Sequence, residues 1–180
     1  MSDTMTMSYT LDQLAGDIRA TLKADGSRNG KLAVGRHVER ALKDPGFVAA
    51  HLKARAKGAD PREVLYEDPE LGFCICGHVY DGPAHGKPHD HGESWAIYGQ
   101  ASEITEMTDW KIVEKGDGGK PNLVEPLRTY TMKPGDSHLY DVGAVHSPKR
   151  DTITKLVRIE GANLDRVKRS NIKAAAPAHA

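Results

Sequence analysis

The stretch Gly82-Pro83-Ala84-His85-Gly86-Lys87-Pro88-His89-Asp90-His91-Gly92 sets two histidines one residue apart at the end of a glycine- and proline-rich loop. Alternate residues of an extended segment share a face, so the imidazoles of His89 and His91 can converge on one ion. Two such ligands leave a metal under-coordinated, and a third donor has to come from elsewhere. His146 is the candidate, because it follows the glycine turn Asp141-Val142-Gly143-Ala144-Val145 and opens a further β segment. The expectation is a metal centre of His89, His91 and His146 on adjacent strands. His78, His85 and His138 lie near these segments and read as neighbours of the site or surface residues. His37 and His51 read as surface positions on helices.

Outward from the histidines the texture is that of an all-β barrel or sandwich. Short segments rich in Val, Ile, Tyr, Thr and Trp alternate with turns such as Gly116-Asp117-Gly118-Gly119, Pro134-Gly135 and Val142-Gly143. Strands are expected near residues 63–66, 72–79, 95–100, 103–114, 122–132, 137–141 and 152–159. Before Ala59 the pattern is helical. Thr10 and Gln13 resemble a capping box, and Leu11, Leu14, Ile18 and Leu22 recur at helical spacing. Val34, Val38 and Leu42 form a second stripe that stops at Asp44-Pro45-Gly46, and a short third helix runs through Phe47 and Leu52. The expected organisation is a helical N-terminal extension over residues 1–58, a barrel over 59–165, and a disordered tail over 166–180.

Composition narrows the classes of function. Of the 180 residues 38% are hydrophobic, enough for a packed core. Acidic and basic residues balance at 25 each, so no electrostatic argument favours nucleic acid or an anionic membrane. No apolar run approaches the roughly 20 residues of a membrane span, and Met1–Thr10 lacks the apolar block of a secretory signal. Cys74 and Cys76, two apart on one strand, cannot easily pair and read as small barrel-lining residues, so a reducing cytoplasm is expected. Phosphate-loop, dinucleotide and nucleophile-elbow motifs are absent from the sequence.

The two histidine segments resemble the sequence motifs of the cupin family. The first, G-x5-H-x-H-x3,4-E-x6-G, is met loosely at Gly82 and then at His89, His91 and Gly99. The second, G-x5-P-x-G-x2-H, is met loosely by Pro134-Gly135-Asp136 and then His146. Trp95 or Ala96 stands where the family's glutamate ligand would be; Glu93 is the nearest acid and could lie beside the site. A cupin without that glutamate resembles the three-histidine thiol-dioxygenase branch typified by cysteine dioxygenase. The stretch from Arg62 through Pro69-Glu70 to Gly99 is similar to that family in order and spacing.

The resemblance implies a double-stranded β-helix, mononuclear iron(II), and activation of dioxygen at open coordination positions. Softness alone would equally admit zinc, nickel or manganese on three imidazoles. It also implies that Arg62 grips a substrate carboxylate, for which a planar guanidinium suits bidentate binding; the alternative is a structural ion pair. The chain departs from the family at its last strand. Leu156, Arg158 and Glu160 stand in place of the family's Ser-x-His-x-Tyr, and Ala96 falls where animal members carry a cross-linking cysteine. Arg158 is either a second anion anchor or a partner of Glu160. Tyr98, Tyr140 and Trp95 line a pocket or fill the core. The expected function is a dioxygenase for a small carboxylate-bearing, possible thiol, substrate, working as monomer or homodimer. A metal-dependent isomerase, lyase or hydrolase, or a non-catalytic ligand-binding cupin, is the alternative.

Overall fold

Residues 8–176 are described by the computed structural model. Expectations for residues 1–7 and 177–180 lie outside the described residues. The helices begin where the sequence supplies caps. At α1 (Leu11–Ala24) the Thr10 hydroxyl accepts from Gln13 N at 3.1 Å while the Gln13 side chain accepts from Thr10 N at 2.9 Å. Ser27 caps α2 (Arg28–Leu42). Asp44 caps α3 (Pro45–His51), accepting from Gly46 N and Phe47 N, and Pro45 occupies a first-turn position whose missing N–H costs nothing.

Ten strands follow: β1 (Arg62–Glu67), β2 (Cys74–Tyr80), β3 (Ala84–His85), β4 (Ala96–Ser102), β5 (Thr105–Glu114), β6 (Asn122–Met132), β7 (Ser137–Tyr140), β8 (Val145–Arg150), β9 (Thr154–Glu160) and β10 (Ile172–Ala174). They form two five-stranded sheets, β1-β2-β9-β4-β7 and β10-β6-β5-β8-β3. Every pairing is antiparallel except β10 beside β6. This is a mainly-β double-stranded β-helix with a helical N-terminal extension. No helix among the described residues is long and apolar enough to cross a membrane.

Strands β2, β4 and β9 are buried on both faces, and alternation divides their residues into two sets. Ile75, Val79, Ile97, Val157 and Ile159 join Leu14, Ile18, Val34, Val38, Phe47 and Leu52 in the largest apolar cluster, between sheet and helices. Gly99 permits the close approach of α2: a Cβ there would stand 2.4 Å from Val38 Cγ1 and 2.9 Å from Leu42 Cδ1. The other set, Cys74, Cys76, His78, Ala96, Tyr98, Gln100, Leu156, Arg158 and Glu160, faces the barrel interior, which is therefore largely polar.

Two expectations are corrected. The segment expected to be disordered from 166 is ordered over its described part. Leu164–Arg166 forms a 3-10 turn, and β10 pairs in parallel with β6, flanked by Asn122 N to Asn171 O and Ala175 N to Val124 O bonds of 2.8 Å. Three residues on the edge of a distant strand leave no periodicity to read in a Lys/Arg-rich segment. His89 and His91, in turn, lie on a loop outside the named strands. His89 alone makes a bridge, to His146.

Candidate metal centre

The loop is tied to β8 at the residues that matter. His89 N donates to His146 O and His146 N donates to His89 O, both at 3.0 Å, so the two backbones pair face to face. Beyond His89 the chain turns at Gly92 (φ +60), where a Cβ would stand 2.2 Å from Lys168 O. The buried Asp90 carboxylate fixes this turn by accepting from Gly92 N and Ser170 N at 3.0 Å each. Burial pushes that carboxyl up, but the hydrogen bonds from Ser170 and Gly92 outweigh it and hold it below the usual carboxylate range.

His89, His91 and His146 offer ligand atoms that all lie within 4.8 Å of one another. Their ring centroids stand 4.6 to 5.5 Å apart. His89 Nδ1 donates to Lys87 O at 2.8 Å and His146 Nδ1 to Ala144 O at 3.1 Å, which makes Nδ1 the protonated nitrogen and leaves each Nε2 with a lone pair to offer. Burial holds all three imidazoles below the ordinary histidine range, His91 down to about 2 with the Arg158 charge adding to it. Neutral imidazoles clustered this closely are what a divalent transition ion requires. The residues present fit a metal ion.

Tyr98, on β4, brings its hydroxyl to 3.2 Å from His91 Nε2 and 3.3 Å from His146 Nε2. Arg158, opposite it on β9, donates to that hydroxyl at 3.4 Å. Arg158 also binds Glu160, and Arg62 grips the same carboxylate through Nε (3.0 Å) and Nη2 (2.8 Å). Leu164 N adds a bond of 3.0 Å, while Arg62 continues outward to Asp165 and Asn163. Burial pushes Glu160 up, but the Arg62 hydrogen bonds and the Arg158 charge outweigh it and hold the carboxyl down to about 2. Arg62, Glu160, Arg158 and Tyr98 thus form one connected chain from the surface to the histidines. A cavity of about 380 Å³ opens beside it, lined by Arg62, His78, His89, Tyr98, Arg150 and Arg158 among others.

The remaining candidates lie elsewhere. Glu93 is exposed on the outer side of the Gly92 turn. His85 is exposed against Asp151 at 3.2 Å. His138 packs between Tyr130 and Tyr140, and Tyr140 stacks on His146 at 3.9 Å between centroids. Cys74 and Cys76 are fully buried inside the barrel, and burial pushes their thiols up to about 11 and about 12, which keeps them protonated and unreactive. Sequence reasoning weighed Tyr98 only as pocket or core and did not single out Arg150. Arg150 follows His146 by four on β8 and so shares its face, which shows only once the extent of that strand is known.

No family model matches the sequence, and no curated protein matches it. Solved structures similar to the chain include KdgF from Halomonas sp. (15% identity, TM-score 0.41, covering 55% of this chain and 74% of that one). A cupin superfamily protein from Desulfitobacterium hafniense DCB-2 aligns at 11% identity and TM-score 0.43, over 60% of this chain and 81% of that one. A structure of oxalate oxidase aligns at 14% and 0.46, over 66% and 59%. Matches this distant carry nothing about chemistry, which has to come from the site.

Proposed function

We propose that the chain is a mononuclear non-haem iron(II) dioxygenase for a small carboxylate-bearing substrate, a thiol acid being the first to try. The observation that supports it is the triad itself: three neutral imidazoles with ligand atoms within 4.8 Å of one another, of which His89 reaches the wall of a small cavity rich in cationic groups. Iron held by His89, His91 and His146 would supply the electron transfer that ground-state dioxygen needs before it reacts with an organic molecule. The chain's own residues do the rest. The Tyr98 hydroxyl stands 3.2 and 3.3 Å from the His91 and His146 Nε2 atoms, and with those lone pairs given to a metal its proton would be within reach of a reacting group placed there. Arg158 fixes that hydroxyl and is itself fixed by Glu160, which Arg62 clamps from outside. On this reading Arg62, Arg158 and Glu160 are positioning residues for Tyr98, and the arginine-rich lining of the cavity favours an anionic substrate. Tyr140, stacked on His146, covers the ring and keeps water from it.

The test is oxygen uptake by iron(II)-loaded protein with a panel of small thiol acids and hydroxy or amino acids. Consumption of dioxygen matched by oxidised product is expected with at least one class. No uptake with any class overturns the proposal. His146→Ala should lose stoichiometric metal by elemental analysis, whereas His85→Ala should keep it. The Tyr98 hydroxyl would equally serve proton transfer in a metal-dependent isomerase or lyase. Turnover that continues under nitrogen with zinc or nickel bound would establish that reading instead.

A further inference from the structure

The cavity beside the metal centre holds a positive charge that the fold leaves unanswered. Of its cationic groups, Arg62 and Arg158 share Glu160, Arg62 also reaches Asp165, and Arg169 is exposed to solvent at the rim. Arg150 has no carboxylate within 4.0 Å among the described residues, and its one cationic contact is the Tyr80 ring, 4.3 Å from the guanidinium carbon. It is 3% exposed, and its Nε is buried without a hydrogen-bond partner among the described residues. His78, also 3% exposed and lining the same cavity, has neither ring nitrogen hydrogen-bonded among the described residues. A guanidinium taken out of water without a counter-charge is among the costlier features a fold can carry, and idle buried donors add to the cost.

We propose that Arg150 and His78 form an oxyanion subsite that seats the carboxylate, or an equivalent sulfonate, of a ligand whose other end reaches the three histidines; this rests on the metal-dependent reading above. Charge, donors and position agree. A guanidinium matches a planar oxyanion through two parallel N–H bonds, and the imidazole adds one N–H. Arg150 and His146 lie four residues apart on one face of β8, roughly 13 Å along the strand, with Pro148 between them. The arginine side chain spans part of that distance, so the ligand is a few bonds long, in keeping with a cavity of about 380 Å³. Arg62, by contrast, has its fork closed on Glu160. The anion-binding role expected of Arg62 from sequence thereby passes to an arginine on the opposite sheet.

Calorimetric titration of the full chain, metal-free and zinc-loaded, tests this with acetate and methanesulfonate as probes and acetamide as the neutral control. The anions should bind and acetamide should not. Arg150→Met should weaken anion binding on the order of 10- to 100-fold, and Arg150→Lys should recover part of it. The same Arg150→Met protein should melt at or above the wild-type temperature, because an unanswered charge is removed, while exposed Arg128→Met leaves binding unchanged. Undiminished binding in Arg150→Met overturns the proposal. So does a variant that melts well below wild type or fails to fold, since the guanidinium would then be a structural partner. A chain that binds anions through Arg150 but holds no metal fails the metal reading and keeps the subsite; the reverse result does the opposite.

Discussion

At the scale of single residues, Tyr98 carries the most chemistry for the least sequence signal. Its hydroxyl meets His91, His146 and Arg158 at once. An aromatic on a strand usually serves packing, and which of Tyr98 and Tyr140 reaches the imidazoles depends on the register of β4 against β9, set by contacts some 60 residues apart. Tyr98→Phe keeps the ring and removes the proton. It should retain metal at wild-type stoichiometry while kcat falls about 100-fold or more, measured by elemental analysis beside steady-state kinetics. Loss of the metal in that variant would instead make the tyrosine oxygen a ligand. The histidines were legible because H-x-H after a Gly/Pro loop and a lone histidine after a glycine turn are local patterns. Arg150 was not, since Lys149-Arg150-Asp151 reads as a charged surface turn until β3 is seen to cover it.

At the scale of elements, the strand positions and the helical stripes were legible for a common reason: period-2 and period-3.6 patterns survive without knowledge of tertiary contacts. Which face of a strand meets the helices was not, because β2, β4 and β9 are buried on both. Gly99 shows how that choice is made, through a space only glycine leaves between β4 and α2. Gly99→Ala should cost about 1–3 kcal/mol in urea unfolding with the metal content unchanged, as the clash falls on the helix side. The segment after Leu164 makes the opposite case. Its Ser170 N shares Asp90 with Gly92, so it braces the H-x-H turn from behind. A chain ending at Arg166 should bind metal about 10- to 100-fold more weakly, read by competition with a chromogenic chelator, even if its melting temperature changes little.

At the scale of the whole molecule, the buried ionisable groups set an acid limit on stability. Glu160 titrates near 4.5 when unfolded and about 2 when folded, so its contribution is present above pH 4.5 and is lost as pH falls toward 2. That difference is worth about 3 kcal/mol. His78, held neutral by burial, acts earlier with the same sign: the unfolded chain gains its proton below about 6.5 and the folded one does not. Stability from urea unfolding should therefore decline from about pH 6.5 and steepen below 4.5. Glu160→Gln should flatten the second limb and cost about 3–5 kcal/mol at neutral pH, since the buried Arg158 and the half-buried Arg62 lose their shared partner. The placement of the main apolar cluster outside the barrel carries a wider consequence. On β2, β4 and β9 one parity of residue number holds the helices and the other faces the chemistry, so neighbours in sequence answer to different selection pressures. Such a scaffold can drift toward new substrates through alternate positions while its folding cooperativity is inherited untouched, which makes it a convenient starting point for directed evolution.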